Sequence, residues 1–117
     1  MIWLAVLLAL VAGPALSVQT DVARAGLLRV LDKTTGAVAD LEMRAGEVAE
    51  IGVITLRLDE CRYPSANPNG DAFALVEVWD SRLTDPVFQG WMIASAPALN
   101  AMDHPRYDVW VLSCVTE

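Results

Sequence analysis

The clearest signal in the chain is an alternation. Across "VITLRLD", Ile54, Leu56 and Leu58 fall on one phase and Val53, Thr55, Arg57 and Asp59 on the other. Period two is the mark of a strand with one buried face. The rhythm recurs in "AVADLEM", where Ala37, Ala39, Leu41 and Met43 alternate with Val38, Asp40 and Glu42. Leu27–Lys33 reads as the strand before it, and Gly36 suits the left-handed position of the short loop between the two. "RAGE" is a second tight turn, pivoting on Gly46. Ala72–Asp80 and Val87–Ala94 are strongly β-prone but lack clean alternation, which predicts strands covered on both sides. Tyr107–Cys114 reads as the last strand.

The segments between are polar or broken. Val18–Ala25 reads as a frayed polar lead, and Pro64–Asp71, "PSANPNGD", as an evident loop. Ser95 is a candidate N-cap, Pro97 is tolerated in a first turn, and Ala98, Leu99, Ala101 and Met102 supply an apolar side. This predicts one short helix of about two turns, stopped by Pro105. The pattern as a whole predicts an all-β fold: a small antiparallel β-sandwich or partly open barrel of six to seven strands, with one short helix before the last strand.

The first residues follow a different rule. "MIWLAVLLALVAGPALS" is an apolar run broken by Gly13-Pro14 and closed by small residues. Residues 1–17 are therefore expected to be a cleavable signal peptide, too short and too broken for a membrane span of about 20 apolar residues. No Lys or Arg precedes the run, so the basic n-region of such a signal is missing. Residues 18–117 are then expected to form a single β domain with one core. Export to an oxidising compartment is expected from that leader.

The formal net charge of −7 narrows the partners. An acidic surface repels phosphate backbones and anionic headgroups, so neither nucleic-acid binding nor electrostatic membrane binding is expected. Cys61 and Cys114 are the only cysteines, and an even count in an exported chain predicts a disulfide, worth about 4 kcal/mol in the chain-entropy account. Strict period two puts Cys61 on the Arg57/Asp59 face and Cys114 with Trp110 and Leu112. For both sulfurs to meet inside, a bulge or strand end is expected near Asp59-Glu60.

Candidate chemistry is sparse. His104 is the sole histidine, and with Ser95 and Asp103 or Asp108 it supplies the residue types of a hydrolytic triad. A helix starting at Ser95 would hold His104 about 12 Å away, at 1.5 Å rise per residue, and no G-x-S-x-G elbow is present. A histidine at a helix C-terminus, complementing the exposed carbonyls, is the simpler reading. Asn67, Asn69 and Asp71 have the i, i+2, i+4 spacing of calcium ligands, but a charged first ligand and a distal Glu are missing and a turn explains the same residues. No catalytic residue, metal ligand or cofactor is therefore assigned. The aromatics are the better lead. Trp91, Tyr107 and Trp110 are candidate partner-binding residues if they face solvent, since such residues dominate interface hot spots.

Three segments, "LRVLDKTTGAVADLEM", "ITLRLDEC" and above all "VFQGWMIASAPALNAMDHPRYDVWVLSC", resemble the domain of unknown function 2155 family of small exported bacterial proteins. The resemblance spans Leu28 to Cys114 and implies a location in the Gram-negative envelope; it carries over no functional residue. The expected function is a non-catalytic periplasmic binding or assembly module for an envelope protein or glycan. The alternative is a small hydrolase centred on His104 with Ser95 and Asp103 or Asp108.

Overall fold

A computed structural model describes residues 18–116; the expected signal peptide lies outside the described residues. Eight strands are present: β1 (Thr20–Ala23), β2 (Ala25–Asp32), β3 (Val38–Arg44), β4 (Val48–Ile51), β5 (Ile54–Pro64), β6 (Phe73–Asp80), β7 (Phe88–Ile93) and β8 (Tyr107–Val115). They form two antiparallel sheets. The larger runs β1-β5-β6-β7, with β4 also paired to β5, and the smaller runs β3-β2-β8. The fold is thus the all-β sandwich that the alternation predicts.

Among the described residues the strands number eight, not six to seven, because β1 and β4 form where the sequence shows no strand pattern. The stretch read as a frayed lead contains β1, which is pinned to the far end of β5 through Thr20↔Pro64 and Ala23↔Cys61. β4 is four residues long and lies against the near end of β5, Ile54–Arg57. The chain leaves the larger sheet at Arg24 and returns to it through Ala45–Glu47, and Ala45 N–H donates to the Arg24 carbonyl at 3.1 Å. Strands that switch sheets in this way make the corner of a sandwich.

The core is the set of inward phases. Ile54, Leu56 and Leu58 from β5 meet Ala74, Val76 and Val78 from β6, Leu28 and Val30 from β2, and Val109 and Val111 from β8. Parity then breaks twice. The β5–β6 register shifts between Leu58 and Glu60, at the place expected, and Cys61 turns inward. A second shift, absent from the sequence reading, leaves Leu112 without a partner on β2: Leu28 pairs Val111 but Leu27 pairs Ser113. That bulge moves Cys114 off the Trp110 face and opposite Gly26. The two sulfurs lie 2.07 Å apart in a disulfide that ties β5 to β8 across the sandwich. A Cβ at Gly26 would stand 3.0 Å from Cys61 Sγ and 3.1 Å from Leu58 Cδ2, so glycine lets the bridge sit close without pushing either neighbour back by a few tenths of an ångström.

The predicted helix is much shorter than expected. It is one 3₁₀ turn, Pro97–Asn100, with Ala96 at its start and no side-chain cap. Ser95 is not the cap, because Asp71 holds both its backbone N–H (3.0 Å) and its hydroxyl (2.7 Å). Leu99 is 76% exposed while Met102, beyond the turn, is buried.

At the opposite end of β8, Tyr107 is buried and its hydroxyl abuts Gly52 in the two-residue turn between β4 and β5. Gly52 has φ +56° and a Cβ there would collide with the phenol oxygen, whereas Gly46, φ +89°, has open space. Both glycines therefore meet the backbone constraint, and only Gly52 meets the steric one. Gly46→Ala is expected to cost about 1–2 kcal/mol for the left-handed backbone alone. Gly52→Ala should cost clearly more in urea unfolding, and pairing it with Tyr107→Phe should recover part of the difference.

Candidate functional site

β6 buries alternate residues with full regularity: Ala74, Val76, Val78 and then Asp80. The inward phase thus ends on a carboxylate that is 2% exposed. A buried charge must be paired and hydrogen-bonded, and Asp80 is. Its Oδ1 accepts from the Arg82 backbone N–H (2.9 Å) and Nε (3.0 Å). Its Oδ2 accepts from Arg82 Nη2 (2.7 Å) and lies 2.8 Å from His104 Nε2. The Arg82 guanidinium above all, then His104 and the Arg82 amide, hold the Asp80 carboxyl well below the usual carboxylate range.

His104 is equally constrained. Its Nδ1 accepts from the backbone N–H groups of Arg106 and Tyr107, both at 3.1 Å. With Nδ1 an acceptor, the ring proton sits on Nε2 and is donated to Asp80. The His104 carbonyl in turn accepts from Lys33 Nζ at 2.6 Å, and Arg106 Nη2 lies 3.0 Å from Asp32 Oδ2 at the end of β2. The Arg106 guanidinium also stands 5.1 Å above the Tyr107 ring. His104 is therefore no helix cap. It is the hub of a corner that joins the end of β6, the end of β2 and the start of β8.

This geometry answers the triad question. Ser95 Oγ donates to Asp71, on the side of the fold lined by Gly70, Leu112 and Ser113, while His104 is spent on Asp80. Asp108 accepts from the Val109 N–H, and Asp103 is exposed in an open groove of about 470 Å³ that is also lined by Asp80, Arg82, Leu83, Val87, His104 and Pro105. Asp103 and His104 line one groove, but Ser95 and Asp108 line others, so the structure brings no nucleophile to His104. Asp71, the acid of the calcium-like spacing, accepts from the Ala72 and Ser95 N–H groups and the Ser95 hydroxyl. Among the described residues no cluster of three or more His, Cys, Asp or Glu is poised for a metal ion.

The candidate aromatics divide. Tyr107 is a core residue, 2% exposed. Trp110 is half-buried on the outer face of the smaller sheet, opposite Arg29. Trp91 is 38% exposed on the outer face of the larger sheet. There the apolar runs of β6 and β7, expected to be covered on both sides, are covered on one only. Cross-strand rows read Val22–Arg62–Phe73–Ile93, then Glu60–Leu75–Trp91, then Arg57–Glu77–Gln89. The first two rows make an apolar strip, with a groove of about 230 Å³ between Thr20, Arg62, Phe73, Trp91 and Ile93. The third is a polar rail: Arg57 lies 2.7 Å from Glu77 and Gln89 donates to Glu77 at 3.0 Å. Phe73 and Leu75 were missed in the sequence; the signal for them is their parity with Glu77, which faces outward.

A family described as "Uncharacterized protein conserved in bacteria (DUF2155)" matches residues 26–114. The chain belongs to this family. The match runs from Gly26, which makes room for the disulfide, to Cys114, which forms it. The chain is also 29% identical, over 92 residues, to Uncharacterized protein RP359 of Rickettsia prowazekii (strain Madrid E). That alignment covers 76% of this chain and 59% of the relative. No solved structure matches the chain.

The corner makes a pH prediction. Asp80 and Asp32, the latter held by Arg106 and then Thr34, both titrate below their ordinary range in the fold. Unfolding raises each towards about 3.9, so the unfolded chain binds more protons in acid. Their contribution is full above about pH 5 and is lost as pH falls through the unfolded and then the folded values. Urea midpoints should be flat from pH 7 to about pH 5 and drop steeply below pH 4. Asp80→Asn should lower the midpoint at pH 7 and flatten the acid limb; an unchanged limb would remove Asp80 from this role.

Proposed function

We propose that the protein is a non-catalytic binding or assembly module of the bacterial cell envelope, and that it works through the outer face of the larger sheet. The observation that carries this reading is the contrast between the two kinds of candidate residue. Of the residues that could form the hydrolytic triad, all but the solvent-exposed Asp103 are tied into structural bonds: Ser95 to Asp71, His104 to Asp80, Asp108 to its own strand. Trp91, by contrast, stands exposed beside Phe73 and Ile93 with no role in the core. A surface with an apolar centre and a polar rim has the anatomy of a recognition site. The envelope location is supported by the leader-like residues 1–17 and by a cysteine pair at bonding distance, which persists in oxidising compartments.

Two measurements test this. In cells expressing the full chain, osmotic-shock fractions should contain the protein with Cys61 and Cys114 inert to alkylation until reductant is added. In a strain lacking the gene, Ser95→Ala should restore any envelope phenotype fully. Trp91→Ser should fail to restore it while keeping the wild-type thermal midpoint within about 1 kcal/mol of stability, as surface changes do. Loss of function in Ser95→Ala at normal stability would revive the hydrolase.

A further inference from the structure

The groove beside Trp91 also specifies what occupies it. We propose that it anchors a protein partner with a basic docking surface, which seats one large apolar side chain between Phe73, Trp91 and Ile93. This rests on the binding-module reading and narrows it to one class of partner.

Three observations favour a protein over the other occupants. The first is polar supply. A sugar stacked on Trp91 needs hydrogen-bonding groups beside the ring. The groove is lined by Phe73, Trp91 and Ile93, with Thr20 and Arg62 as its two polar side chains. The two polar residues at its wall are engaged with each other and with a neighbour: Arg62 Nε donates to Thr20 Oγ1 at 2.9 Å, and Arg62 Nη1 is bonded to Glu60. The second is size. About 230 Å³ is below the roughly 300–1,000 Å³ of a small-molecule pocket. It is the scale of a single anchoring side chain, the unit from which interface hot spots are built. The third is charge. The groups around the strip are three acids, Glu60, Glu77 and Asp59, paired with two arginines, Arg62 and Arg57, on a chain of net charge −7. The net charge of the chain disfavours anionic lipid and a second copy of the same face, and favours a partner bearing Lys and Arg.

The strip's geometry suits such a partner. Neighbouring cross-strand residues stand about 4.5–5.5 Å apart, so Phe73, Ile93, Leu75 and Trp91 form a continuous apolar floor. The Arg57–Glu77–Gln89 rail borders it and sets one edge of the footprint.

The test uses protein purified from the periplasmic fraction of cells expressing the full chain. It is panned against a displayed random peptide library. In parallel it is applied to an oligosaccharide array and to vesicles of zwitterionic and of anionic lipid, and its sedimentation is followed with concentration. The expected result is enrichment of peptides that carry one Leu, Phe, Trp or Met next to Lys or Arg. Their binding should weaken about tenfold or more in Trp91→Ser and in Phe73→Ser, weaken with added salt, and be unchanged in Trp110→Ser. Circular dichroism melts of each variant separate lost binding from lost folding, and Ile93→Thr serves if Phe73→Ser is unfolded. Binding of oligosaccharides or vesicles that depends on Trp91, or self-association that does, overturns the protein partner but leaves the outer face as a binding surface. Enriched peptides indifferent to Trp91 and Phe73, or no Trp91-dependent binding to any probe, overturn both.

Discussion

A carboxylate at the inner end of β6 sets the terms for the rest of this structure. The strand's parity brings Asp80 into the interior after Val76 and Val78, and there an unpaired charge is not tolerated. Arg82 answers from the surface, two residues on, where the chain has already turned. The inner lone pair needs a donor from the other side of the sandwich, and His104 supplies it. For that, the imidazole must hold its proton on Nε2, which the two backbone amides on Nδ1 enforce. Those amides belong to Arg106 and Tyr107, so the ring's tautomer and the start of β8 are fixed together. A buried ion pair is weak evidence for net stability. Its effect here is to define one position for a strand that sequence separates widely from its neighbours.

The disulfide does the same at the other end. Cys61 pairs with Ala74 near the start of β6, and Cys114 lies near the end of β8, about 23 Å along the strand from Tyr107 at 3.3 Å per residue. β8 is thus clasped to the larger sheet at both ends, covalently at one and by the Asp80–His104 bond at the other. Between the clasps it contributes Val109 and Val111 to the core and little else. The two clasps fix where the smaller sheet lies on the larger one, whose outer face carries the groove proposed for binding. Preorganised surfaces lose less on binding than those that must order first.

The sequence made some of this legible and hid the rest for identifiable reasons. Strand phases are local, so the inward set Ile54, Leu56 and Leu58 and the bulge beside Glu60 could be read directly. The second bulge, at Leu112, leaves no local mark: no glycine or proline sits there, and the demand comes from the position of Cys61. His104 reads locally as a helix C-terminal residue, because its true partner Asp80 lies 24 residues away and announces itself only by parity. The helix was over-read because Ser95, a good cap in isolation, is claimed by Asp71. β6 and β7 were read as doubly covered because an apolar run carries no information on whether a second layer exists.

That last error is the informative one. A strand with apolar residues on both phases normally has protein on both sides. Here β6 has Ala74, Val76 and Val78 against the core, and Phe73, Leu75 and Trp79 only half-buried on the outer face, beside the exposed Trp91. Scattered surface apolar residues need no explanation, but a contiguous strip of them rimmed by an ordered polar row does. The chain has the means to avoid it: the outer face of β3 carries Asp40 and Glu42, and that of β5 Arg57 and Asp59. Charge is used on those strands and withheld from the adjoining parts of β6 and β7. The sequence therefore treats this face as an interior. On the binding-module proposal, a partner supplies the layer that completes it, and the polar rail of Arg57, Glu77 and Gln89 borders that footprint.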